Sequence, residues 1–145
     1  STAIEEILKN FKGNWKRIYD ELEKLRQKIL QRQQEPTYGL DRRTQMPFFR
    51  IFKAVLWDDR DLNEDEISQN VALTQAVTLK LQTEIKLVGF WDNVMAQKRL
   101  KADLQNEVLL SKDFCSLPDM MQKYKQVISR IMEVARANHN HLISQ

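Results

Sequence analysis

Nucleophilic and metal-dependent chemistry both need His, Cys, Asp or Glu side chains that converge, and this chain of 145 residues has only two histidines and one cysteine to offer. His139 and His141 stand two apart in Asn138-His139-Asn140-His141. On a helix, residues i and i+2 face different ways, so the pair lacks the i, i+4 spacing of a helical zinc site. The segment reads as a solvated, frayed terminus. Cys115 lies between Phe114 and Ser116 with no histidine close in sequence to draw off its proton, and it fits the role of a small buried hydrophobe. Six of the nine residues from Asp58 to Glu66 are acidic. A calcium loop would also need a glycine at its sixth position and a bidentate Glu at its twelfth, so the run reads as a solvated turn leading into a helix N-terminus. The three glycines stand alone at 13, 39 and 89, and no phosphate-cradling loop can be built from them. No catalytic residue, metal ligand or cofactor site is therefore expected in these residues, and the chain is not expected to be an enzyme by itself.

Binding is the remaining chemistry, and charge is where it shows. Between Lys9 and Lys53 there are twelve basic and five acidic residues, a local balance of +7, whereas Asp58 to Glu66 carries −5. The chain is dipolar. Lys16, Arg17, Lys24, Lys28, Arg32 and Lys53 are the candidates for contact with duplex DNA, since cations that reach phosphates make a nucleic-acid footprint. Against this, the first helix interleaves its bases with acids, as in Asp20 and Lys24, which is how an ordinary solvated face is built. The loop Asp41-Arg42-Arg43-Thr44 and the start of the following helix give a second set. Arg42, Arg43, Phe48, Phe49 and Arg50 are candidates for binding a protein partner, because Phe48, Phe49 and Phe52 do not fit comfortably on one stripe. A weaker third reading places a small ligand among the aromatic and Arg residues of Tyr38 to Trp57.

The elements that would position these groups are helices. Six glycines and prolines in 145 residues, with 42% hydrophobic and 30% charged composition, argue against a loop-rich, β-rich or disordered chain. The length fits one domain over 1–145. Apolar residues at Ile4, Leu8, Phe11, Trp15, Ile18, Leu22, Leu25 and Ile29 recur in steps of three and four, which predicts a long first helix from Ala3 to Gln33. Thr2 and Glu5 have capping-box spacing, and Gly13 is the place for a bend. Unbroken, this helix would be about 46 Å long. Residues 35–46 form one long loop. Pro47 suits the first turn of a second helix whose dense apolar run, Phe48 to Trp57, predicts burial on more than one side. A third helix is expected from an Asn63 cap to Gly89, with Ile67, Val71, Thr74, Thr78, Leu81, Ile85 and Val88 on its stripe. A fourth, capped by Asp92 or Asn93, would bury Ala96, Leu100, Leu104, Val108 and Leu109. A fifth, opened by Ser116-Leu117-Pro118-Asp119, would run to about Ala137 and bury Met121, Tyr124, Ile128, Ile131 and Ala135. Five helices with short connections predict an all-α, bundle-like fold. No apolar run is long enough to span a bilayer and no leader opens the chain, so a cytoplasmic protein without membrane contact is expected. The start at Ser1-Thr2-Ala3, without Met, suggests a piece of a larger protein.

The stretch Ile85-Lys86-Leu87-Val88-Gly89-Phe90-Trp91-Asp92-Asn93, followed by Gln97 and Leu100, resembles the C-terminal helical region of the restriction (R) subunits of type I restriction-modification enzymes. The similarity extends from about Ile67 to Ala137 and rests on apolar positions around the Phe90-Trp91 corner. It implies a parent chain that is an ATP-dependent type I site-specific deoxyribonuclease, with an endonuclease domain and a DNA translocase that needs ATP and Mg. The family's Walker lysine and nuclease motifs have no counterpart in this sequence, so what the resemblance implies here is assembly. The domain would join the motor to the methyltransferase core of the complex, or support the motor's contact with DNA.

Overall fold

The computed structural model describes residues 2–10 and 14–144. It is all-α, and no strand occurs among the described residues. Its contacts divide the chain into two compact units, 1–36 and 37–145, where the sequence predicts one domain.

In the first unit the expected long helix is described as two, α1 (Thr2–Asn10) and α2 (Trp15–Gln34). Asn14 leaves helical geometry, with φ −111° and ψ 83°, and restarts the helix by accepting the Arg17 backbone N–H on its side chain at 3.2 Å. Gly13, the expected bend, lies outside the described residues, and Thr2 is the first described residue of α1. Of the apolar stripe that α2 carries, Ile18 is buried, Leu22 and Leu25 are half-buried, and Trp15 and Ile29 are exposed.

The second unit is built on α3 (Met46–Leu56), which packs against both α4 (Glu64–Glu84) and α6 (Met120–Ala137). Burial on two sides is what its apolar density demands: Met46, Phe48, Phe49, Ile51, Phe52, Val55 and Leu56 are all buried. Phe48 and Phe49 therefore offer no surface to a partner, a correction to the sequence reading. A helix needs no single stripe when neighbours cover it from two directions. The loop before α3 is pinned by its own side chains. The Asp41 carboxylate accepts the backbone N–H groups of Arg43 and Thr44 at 2.9 and 2.8 Å, and Gln45 returns to accept the Asp41 N–H at 2.9 Å. The Thr44 N–H, as the main cause, holds the Asp41 carboxyl below its ordinary pKa.

α4 opens on a full capping box: Asn63 accepts the Glu66 N–H at 2.9 Å while Glu66 accepts the Asn63 N–H at 3.0 Å. It ends at Glu84, well before the expected stop at Gly89. After it come a 3-10 turn, Phe90–Asp92, α5 (Val94–Asp103), a π-helical turn, Leu104–Leu109, then α6 and the short α7 (His139–Ile143). The π turn resolves a misfit in the expected fourth helix. On a regular helix the expected stripe from Ala96 to Leu109 would spread over about 220°, more than one face, and the wider turn, marked by the Leu110 N–H bonding Gln105 C=O at 2.9 Å, buries Leu104, Val108 and Leu109 together. α6 begins at Met120, after Asp119 in the left-handed region at φ 58°, so Met120 is buried and Met121, expected inside, is exposed. The terminus is not frayed as predicted: α7 packs on α4 and α6 through buried Leu142. Among the described residues, no helix is long and apolar enough to cross a membrane.

Candidate functional site

The corner between α4 and α5 follows from one residue without a side chain. Gly89 takes φ +72°, a left-handed conformation that costs an L residue about 1–2 kcal/mol, and it turns the chain so that Phe90 enters the core. The corner is then fixed from several sides. Trp91 stands edge-on to Phe90 with ring centroids 4.8 Å apart, and its indole N–H donates to His139 Nδ1 at 3.1 Å. The Arg136 guanidinium lies 5.9 Å from the Trp91 ring. Gln97 donates to the Phe90 carbonyl at 3.2 Å, and Asn93 caps α5 by accepting the Ala96 N–H at 2.9 Å. His139, read from sequence as a solvated tail residue, is thus half-buried and holds the corner to α7.

What the fixed corner presents is apolar. Because α4 stops at Glu84, Leu87 and Val88 fall on an irregular turn, where Leu87 is 51% and Val88 97% exposed. Val88, expected as the last buried residue of the third stripe, is instead in water. Together with Trp91, His139 and Ile143 these residues line a shallow concavity of about 440 Å³. Val94 and Met95, at the start of α5, are exposed as well.

The residues singled out from sequence are placed differently. Arg42 and Arg43 are exposed on the Asp41 loop, and Arg50 is half-buried on α3. Of the DNA-contact candidates, Lys16, Arg17, Lys24, Lys28 and Arg32 are exposed on α2, and Lys53 is on α3 in the other unit. The face of α2 that carries Lys24 and Lys28 also carries Asp20 and Glu23, so it is mixed in charge. Lys24 pairs with Glu21 at 3.2 Å, Arg26 with Glu23 at 2.7 Å, and Lys53 with Asp59 at 3.5 Å. In the aromatic region from Tyr38 to Trp57, Phe48, Phe52 and Trp57 are core residues and Tyr38 is exposed.

The acidic run from Asp58 to Glu66 acts within the fold. Asp58 and Asp59 take φ of 52° and 56° to turn the chain after α3, and Lys123 reaches Asp119, Asp58 and the Val55 carbonyl at 3.4, 3.9 and 3.3 Å. Glu66 is gripped by the Arg60 guanidinium, which with the Asn63 N–H lowers its pKa to about 2; the nearby Trp57 contributes least. Among the described residues, no group of three or more His, Cys, Asp or Glu is placed to hold a metal ion. Compared with protein-family models, curated proteins and solved structures, the chain matches none.

Proposed function

We propose that residues 37–145 are a non-catalytic assembly domain of the kind found at the C-terminus of type I restriction R subunits, which docks an ATP-dependent DNA translocase and endonuclease onto its methyltransferase core. The observation that carries this reading is the corner itself. Leu87 and Val88 are held in water over an aromatic base that hydrogen-bonding or ring contacts between five residue pairs make rigid. An exposed apolar anchor on a rigid support loses little entropy on binding and gains its burial in full, which is what the centre of an interface requires. The same residues carry the family resemblance. ATP and Mg would act elsewhere in the parent chain.

The test is a pull-down of the cognate methyltransferase core by this chain. Val88→Asp changes a side chain that touches little of its own fold, so it should abolish capture while leaving the melting temperature unchanged.

Direct contact with duplex DNA is the second reading, and the +7 balance from Lys9 to Lys53 supports it. The ion pairs on α2 and α3 weigh against it, since paired cations release fewer counterions from phosphates. A mobility shift that weakens with salt and with Arg42→Ala plus Arg43→Ala would favour it over docking.

A further inference from the structure

Helix α2 has an apolar seam that is only partly covered. Trp15, Ile18, Leu22, Leu25 and Ile29 alternate steps of three and four, the a and d positions of a heptad repeat. Trp15 is 76% exposed, Ile29 is exposed, and Leu22 and Leu25 are half-buried; Ile18 is the exception and is buried. Tyr19, beside the seam, is 68% exposed. A strict 3.5-residue repeat is the spacing that lets one helix follow another along its length, whereas a helix lying on a globular core drifts to a 3.6-residue stripe.

We propose that α2 pairs in parallel and in register with α2 of a second copy of this chain. Charge complementarity selects that occupant. With Trp15, Leu22 and Ile29 at a, Glu21 and Lys28 fall at g, and Tyr19, Arg26 and Gln33 fall at e. In a parallel pair each g residue meets the e residue five positions on in its partner. Glu21 then faces Arg26 of the second copy, twice by symmetry. Lys28 meets Gln33 and Asn14 meets Tyr19, so no flanking position sets like charges together. In the single chain Glu21 and Arg26 are occupied by the neighbours Lys24 and Glu23 on the same helix, through exposed pairs that cost little to exchange. From Trp15 to Ile29 the seam is self-complementary, as a two-fold interface must be, and Arg32, at the next d position, marks where it ends.

Sedimentation of the whole chain over a range of concentrations tests this. The wild type should show a monomer–dimer equilibrium, and Leu22→Asp with Leu25→Asp should leave only monomer with the melting of residues 37–145 unchanged. Glu21→Arg and Arg26→Glu should each weaken self-association by about ten-fold, since each sets two like-charged pairs face to face. Mixing the two variants should restore association as a heterodimer, because both flanking pairs become opposite in sign again. A wild type that is monomeric throughout, a dimer that survives the seam substitutions, or a mixture that recovers nothing would overturn the proposal. None of these outcomes bears on Val88, so the docking reading is tested separately.

Discussion

Asn70 is fully buried on α4, in the middle of what should be an apolar face. Its amide donates to the Phe49 carbonyl at 3.1 Å, Thr74 donates to its oxygen at 3.2 Å, and Thr78, one turn further on, donates to the Thr74 carbonyl at 2.8 Å. The two threonines were legible in the sequence as part of a stripe, but Asn70 was not, because a buried amide is recognised only by the partners that satisfy it. Asn70→Ala should destabilise the 37–145 unit by about 1–3 kcal/mol, measured by chemical denaturation, since it leaves Thr74 without its buried acceptor. Glu66 makes a prediction in pH. Its carboxyl is held at about 2 in the folded chain against an ordinary 4.5. Between these values the unfolded state binds the proton and the folded state does not, so the contribution is complete above about pH 4.5 and is lost as pH falls towards 2. Asp41 acts in the same direction. Glu66→Gln should flatten the stability–pH slope in this window, and a slope equal to that of the wild type would remove the Arg60 pair from the account.

At the scale of elements, helix starts were easier to read than helix ends. Asn63 and Asn93 are caps whose side chains bind the amides that their positions in sequence implied. Pro118 reads as the first turn of α6, whereas Asp119 in a left-handed conformation delays the helix to Met120 and moves burial by one residue. The early end of α4 was hidden for a different reason. Ile85 is buried, so the apolar pattern runs past Glu84, and only the packed corner shows that the chain has left the helix there. The π turn likewise answers a demand of its neighbours: it sets Leu104, Val108 and Leu109 against α4 and α6. Phe48 and Phe49 are not surface residues because α4 and α6 cover α3 from two sides, which the pattern of one helix does not show. Gly89 was read as a stop signal, and its φ of +72° makes it the hinge of the corner instead. Gly89→Ala meets no atom within 4 Å, so its cost is backbone strain alone, about 1–2 kcal/mol in thermal or chemical unfolding.

For the molecule as a whole, the two compact units separate two kinds of association. Residues 37–145 bury nearly all of the large apolar residues of α3 and leave a small apolar corner outside. Residues 1–36 keep a heptad seam only partly covered, with charges on its flanks that suit a second copy. Dimerisation through α2 and docking through Val88 would let one assembly present two docking corners, which raises the effective concentration of the second once the first is bound. The all-helical fold could be read from composition and the spacing of apolar residues. The corner could not be read as a surface, because Val88 lies in phase with a buried stripe and only the stop at Glu84 turns it outward. The most direct test is capture of the cognate methyltransferase core by the wild-type chain and by Val88→Asp in parallel. The wild type should retain the core and Val88→Asp, folded and equally stable, should not; no capture by the wild type, or equal capture by both, would contradict docking through the corner.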